Sequence, residues 1–193
     1  MSAELFSGNE FTVRQNIFTF FGASIRVFDK DMQQIMFCRQ KAFKLKEDIR
    51  IYRDETKTEE VFRIAARNII DFAATYDIID SSTETKVGSL RRRGFKSILK
   101  DEWQIMDAND QEVGKIKEDN AFLALLRRFL SSLIPQNFKV YHGDVQVAEF
   151  RRGFNPFVNK MKVDFSHDTE NVLDHRIGLA SAILVILMEA RSN

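Results

Sequence analysis

At 193 residues, 44% hydrophobic and 30% charged, the chain has the make-up of one folded domain with a substantial core, which excludes a disordered chain. A formal net charge of +1 gives no global attraction to nucleic acid, so any anion must be met by a local patch. The single cysteine, Cys38, excludes an intramolecular disulfide and points to the cytoplasm, and MSAELFSGNEFTVRQ at the N-terminus lacks the basic-then-apolar pattern of a secretory leader.

From Phe11 to Arg152 short alternating runs are broken by polar turns. FTVRQ at 11–15 comes first, then SIRVFDKDMQQIMFCR, where Ile25 and Val27 precede a turn at Asp29–Gln33 and Ile35 and Phe37 follow it. That period of two is a hairpin. DIRIYRD at 48–54 and EVFRIAA at 60–66 add two strands. The hairpin pattern then returns three times, from Tyr76, from Trp103 and, more loosely, from Phe138, before FVNKMKVDFS at 157–166. The total is about twelve strands with tight turns, which predicts a closed barrel or a sandwich.

Small residues recur at one place in the later hairpins, Gly88, Gly114 and Ala148, where the first hairpin has Met36. Glycine inside a strand marks close approach of another backbone, so these three positions are expected to face something bulky. The 18 phenylalanines likewise call for a large interior.

Two segments have helical spacing. NAFLALLRRFLSSLIP places Phe122, Leu125, Leu126, Phe129, Leu130 and Leu133 three and four apart, with Asn120 as N-cap and Pro135 as stop: an amphipathic helix over 120–134. The second is HRIGLASAILVILMEARSN, within a helix expected at about 169–190 and capped by Asp168 or Thr169. A membrane span needs about 20 apolar residues to cross roughly 30 Å. The uninterrupted run Ile177–Met188 covers only about 18 Å at ~1.5 Å per residue. Yet it is apolar all round and must be enclosed. About eight strands fill their own lumen, whereas about twelve leave room for a plug. The chain therefore reads as mainly β: a single domain over 1–193, a closed antiparallel barrel of about twelve strands around a hydrophobic C-terminal helix, with one further amphipathic helix.

YDIID…KVGSLRRRGFKSILKDEWQIMD…EVGKIKED, then ALLRRFL…IPQNFKV and the apolar C-terminal helix, resemble the tubby C-terminal-like superfamily, in its LURP-one-related and phospholipid scramblase-like branch. The resemblance runs from about Phe11 to the C-terminus. It implies a twelve-stranded barrel threaded by its last helix. It also brings two associations, phosphoinositide binding in tubby domains and calcium-linked lipid movement in scramblases.

The densest basic cluster is Arg91, Arg92, Arg93, Lys96 and Lys100, which Arg127–Arg128 and Arg151–Arg152 would extend if they share a rim. Near an anionic bilayer each such cation contributes up to ~1 kcal/mol, so the cluster is the candidate lipid- or anion-binding site. The bland reading is a solvated loop paired with Asp101 and Glu102. Asp164, Asp168, Glu170 and Asp174 lie where the resemblance puts the scramblases' calcium segment, and calcium takes six to eight oxygens. Capping and the helix dipole explain Asp168 and Glu170 equally well. DANDQEVGKIKE at 107–118 imitates a calcium loop but has Glu112 where glycine is needed, and it alternates like a hairpin. His142, His167 and His175 are not at metal-ligand spacing and none is set in a recognisable nucleophile motif, and Cys38 sits in an alternating strand as a packed small hydrophobe.

The expectation is a non-enzymatic binding or scaffolding module without cofactor, cytoplasmic or peripheral at the inner membrane face. Its partner would be an anionic phospholipid surface rather than nucleic acid. The alternatives are a scramblase-like membrane protein and, third, an enzyme or small-molecule carrier with a site in the barrel.

Overall fold

The structure, a computed structural model, describes residues 2–18, 22–40, 48–68, 74–92, 102–118, 136–153 and 158–189. After a single helical turn, α1 (Ser2–Leu5), come β1 (Glu10–Phe18), β2 (Gly22–Phe28), β3 (Gln34–Gln40), β4 (Ile49–Tyr52), β5 (Glu60–Asn68) and β6 (Thr75–Asp80). Then follow β7 (Thr85–Arg92), β8 (Glu102–Met106), β9 (Glu112–Glu118), β10 (Gln136–His142), β11 (Val145–Gly153), β12 (Val158–Asp164) and helix α2 (His175–Glu189). Each strand pairs antiparallel with its sequence neighbours, and β1 pairs with β12 from Glu10↔Asp164 to Asn16↔Val158, which closes the barrel. Among the described residues closure leaves no edge strand to pair with another chain. The amphipathic helix expected over 120–134 lies outside the described residues.

Three of the turns share one local device. The Asp29 carboxylate accepts the N–H groups of Asp31 at 3.0 Å and Gln33 at 2.8 Å, and Asp107 does the same for Asn109 and Gln111, both at 2.8 Å. Asp54 accepts the Thr56 N–H at 2.8 Å. Three residues after each aspartate the chain enters the left-handed region: Met32 at φ 60°, Lys57 at 59° and Asp110 at 63°. A short carboxylate that ties down its own backbone makes this turn, and the left-handed residue brings the bulge. The registers accordingly slip at Val27/Phe28, Ile51/Tyr52 and Ile105/Met106. The imitation calcium loop at 107–118 is this turn followed by β9.

The period-two pattern sends Val13, Ile25, Met36, Phe62, Ile78 and Leu90 inward, all at or near zero exposure. The space they surround is occupied by α2. From Leu179 to Leu187 no residue of the helix is more than 5% exposed. The helix packs against β6 and β7 and also against β12 and β1. In the ring of twelve those two pairs lie on opposite sides, so the helix spans the lumen from wall to wall. Ser181, the polar residue within that stretch, donates its hydroxyl to the Ile177 carbonyl at 2.7 Å, which satisfies it without a partner outside the helix.

The helix begins at His175, later than the expected start near 169. Asp174 is its cap: the carboxylate accepts the Arg176 N–H at 2.9 Å and the carbonyl accepts from Ile177 and Gly178. Asp168 instead holds the preceding turn, accepting the N–H groups of Val172 and Leu173 at 2.9 Å each. Among the described residues no helix is long and apolar enough to cross a membrane.

The small-residue positions divide. A Cβ on Gly88 would lie 2.7 Å from Ile177 Cδ1 and 2.6 Å from the Met106 carbonyl oxygen, so this glycine does admit the helix. A Cβ on Gly114 would lie 2.2 Å from the Tyr141 carbonyl oxygen. Its close neighbour is therefore β10, where the β10–β11 register slips at Val140/Tyr141, and not the helix. Ala148 is fully buried in the core.

Gly178, on the helix itself, is the tightest contact with a side chain. An added Cβ would stand 2.4 Å from Cε1 of Phe165, a ring that is 1% exposed. Gly178→Ala is expected to lower the melting temperature, because overpacking costs about 1–3 kcal/mol against roughly 1 kcal/mol of helix propensity gained. Gly153→Ala, with nothing within 4 Å, should leave it unchanged. Thermal unfolding followed by circular dichroism checks both, and equal melting temperatures for the two variants would contradict the packing described.

Candidate functional site

The interior is filled by side chains and helix, which leaves little place for a substrate there. Cys38 lies inside at 1% exposure, and burial pushes its thiol up to about 12, far from the thiolate a nucleophile needs. The histidines serve structure or stand apart. The His175 ring stacks on Phe165 at 4.1 Å between centroids, and its Nδ1 lies 2.6 Å from the Phe6 carbonyl oxygen. That contact fastens the N-terminal segment over the start of α2. His167 is exposed, and His142 lies in register with Gly114 on β9 and Val145 on β11.

A shallow cleft of about 310 Å³ opens at this end of the barrel, between the N-terminal segment and the β2–β3 turn. Leu5, Phe11 and Ile35 contribute apolar surface, and Glu4, Glu59 and Arg53 contribute charge. No nucleophile and base converge on it.

The acidic residues before the last helix are engaged with the backbone. Asp164 accepts the Ser166 N–H at 2.9 Å, Asp168 holds two N–H groups, Asp174 caps α2, and Glu170 is exposed. Among the described residues no group of three His, Cys, Asp or Glu side chains converges as metal ligands.

Arg91 and Arg92 end β7, and Arg93, Lys96 and Lys100 lie outside the described residues. Alternation separates the two arginines. Arg92 is in register with the buried Trp103 and carries its guanidinium over that ring, 6.0 Å from the centroid. Arg91 takes the other face, in register with Gln104, which in turn meets Lys115. Lys117 joins them, opposite Glu102 on one side and Lys139 on the other. Lys115 has Asp144 at 3.6 Å.

A second cationic wall is found on β12, β1 and β2. Lys160 is in register with Arg14, and Arg14 with Arg26. Lys162, two residues on, faces Thr12 on β1 and Arg151 on β11. Arg26 is held by Glu55 at 2.9 Å, and Arg151 by Glu149 at 2.8 Å. Arg14 and Arg26 lay their guanidiniums over Phe28 and Phe37, each 5.5 Å from the ring centroid. Among the described residues Lys160, Lys162 and Arg14 have no carboxylate partner.

Lys160, Lys162, Arg14 and Arg26 were not singled out in the sequence. The alternation of NKMKVD shows that Lys160 and Lys162 share a face, but nothing local shows that β12 closes against β1 and brings Arg14 between Lys160 and Arg26.

A family model described as LURP-one-related matches residues 34–187, most of the chain. The chain belongs to the LURP-one-related family. Among solved structures, this LURP-one-related barrel is similar to the X-ray structure of a protein from Arabidopsis thaliana. The TM-score is 0.51 at 10% identity, over 96% of this chain and 94% of that one. At that identity the likeness concerns the fold. No curated protein matches the sequence.

The start of α2 is tied to the wall by charge. Arg176 bonds both oxygens of Asp174 and reaches Asp80 at the end of β6. Burial opposes ionisation of Asp80, but hydrogen bonds from the Ser82 hydroxyl and N–H, with the Arg176 charge, outweigh it and hold the carboxyl below its usual range. A depressed carboxyl contributes stability that is complete above its unfolded pKa, about 4, and lost as pH falls through the lower native value. Asp80→Asn should destabilise the barrel at neutral pH and flatten the loss of stability below about pH 4. Urea midpoints measured across that range check it, and a parallel decline in both proteins would contradict the linkage.

Proposed function

We propose that this chain is a non-enzymatic binding module that docks on an anionic phospholipid surface with the outer wall of its barrel. The observation that carries the reading is a set of outward cations without carboxylate partners among the described residues, on a barrel that holds its own helix inside. Arg91, Arg14, Lys160 and Lys162 belong to that set. Membership of the LURP-one-related family agrees with a binding or scaffolding barrel. A Lys or Arg near an anionic leaflet contributes about 1 kcal/mol, so three or four cations supply about 3–4 kcal/mol toward reversible peripheral attachment. The scramblase-like alternative requires α2 to enter the bilayer, and so to leave an interior where Leu179, Ile183 and Leu184 are fully buried.

Flotation with phosphatidylserine-containing vesicles tests the reading. The expected result is co-flotation that vesicles of neutral lipid do not give, and that fades as salt shortens the screening length from ~10 Å at 0.1 M toward ~3 Å at 1 M. Binding that is absent, or equal on neutral vesicles, would discard it.

A further inference from the structure

The two cationic walls are not equivalent. β7 and β1 stand six strands apart in a ring of twelve, on opposite sides of the barrel, so one flat surface meets Arg91 or Arg14 but not both. On the β7–β9 side the cations are more diluted: Gln104 separates Arg91 from Lys115, Lys115 has Asp144, and Lys117, though opposite Lys139, also faces Glu102. On the β12–β2 side Lys160, Arg14 and Arg26 occupy directly opposed positions on three adjacent strands, and Glu55 is the one carboxylate bound to the row among the described residues.

Like-charged residues directly opposite on neighbouring strands have Cβ atoms about 5 Å apart and destabilise a sheet. The fold carries two such juxtapositions in this row and a third where Lys162 faces Arg151. The hydrophobic core lies on the other face of these strands. Stacking on Phe28 and Phe37 holds the two arginines along the wall and keeps those rings covered; Phe37 is only 5% exposed. The Phe37 ring is therefore no exposed platform for nucleic-acid bases. Lys160 and Lys162 are mobile point charges rather than bidentate forks. A convex, diffuse field of this kind suits a surface of many anionic headgroups.

We infer that the β12–β1–β2 wall, through Lys160, Lys162 and Arg14, is the face with which the barrel lies on an anionic phospholipid bilayer. This rests on the reading of the protein as a lipid-surface binder and adds which side it uses. Docking relieves the mutual repulsion of the row, since anionic headgroups supply the counter-charge the sheet lacks.

The test uses the full chain and two variants matched for charge, Lys160→Gln/Lys162→Gln and Arg91→Gln/Lys117→Gln, on vesicles with and without phosphatidylserine. The first should lose about fivefold per cation removed, about 25-fold in partitioning, while the second stays within about twofold of wild type. The first variant should also melt no lower than wild type, because its substitutions relieve repulsion, so a loss of binding is not a loss of fold. Equal losses, or a loss only in the Arg91/Lys117 variant, would overturn the choice of wall while leaving lipid binding standing. Wild-type protein indifferent to phosphatidylserine would overturn both. Tighter binding to an acidic peptide or to single-stranded nucleic acid than to vesicles, at the same salt, would overturn the lipid as occupant.

Discussion

Everything in this barrel depends on one mutual burial. Helix α2 is apolar in every direction and has to be enclosed, and a ring of twelve strands leaves a lumen that side chains alone do not fill. Contact with β6–β7 on one side and β12–β1 on the other means that the helix meets opposite walls at once. Neither part is stable alone, since the helix would expose every face and the ring would stand over a void. The details at the helix start follow from the same constraint. Gly88 and Gly178 remove volume where Ile177 and Phe165 come close, and Arg176, Asp174 and Asp80 tie the helix to β6.

That constraint also shapes function. Among the described residues the interior is taken up by side chains and helix, and the proposed docking uses the outside. There the alternation that buries one residue of each pair leaves the other to carry charge. The distribution is uneven, with carboxylates interleaved on some strands, whereas among the described residues the row through Lys160, Arg14 and Arg26 has only Glu55, on Arg26. A sheet tolerates such a row at some expense of stability, and an anionic surface would reverse its sign.

The fold was legible because its signals are local. Period-two runs, aspartate-led turns and an all-round apolar helix too short for a bilayer are each contained in a dozen residues, and together they indicated twelve strands and a plug. The helix cap was displaced from Asp168 to Asp174 because both aspartates precede apolar residues, and only the intervening turn, with Asn171 at φ 51°, separates their roles. Gly114 was expected to face something bulky, but glycine marks close approach without naming the neighbour. Its neighbour is Tyr141 on the next strand. The cationic wall was illegible for the same kind of reason: Arg14 and Lys160 are far apart in the chain and meet only when the ring closes. A contiguous cluster such as Arg91–Lys100 draws attention in a sequence, whereas a patch assembled across strands does not.

The enclosed helix is most directly tested by native-state hydrogen exchange. Amides of Leu179 to Leu187 should exchange only through global unfolding, with protection equal to that of the inward strand positions around Ile25 and Ile78. Exchange of the helix at a rate well above those strands, with the barrel still folded, would mean that α2 leaves the lumen on its own and would contradict the account.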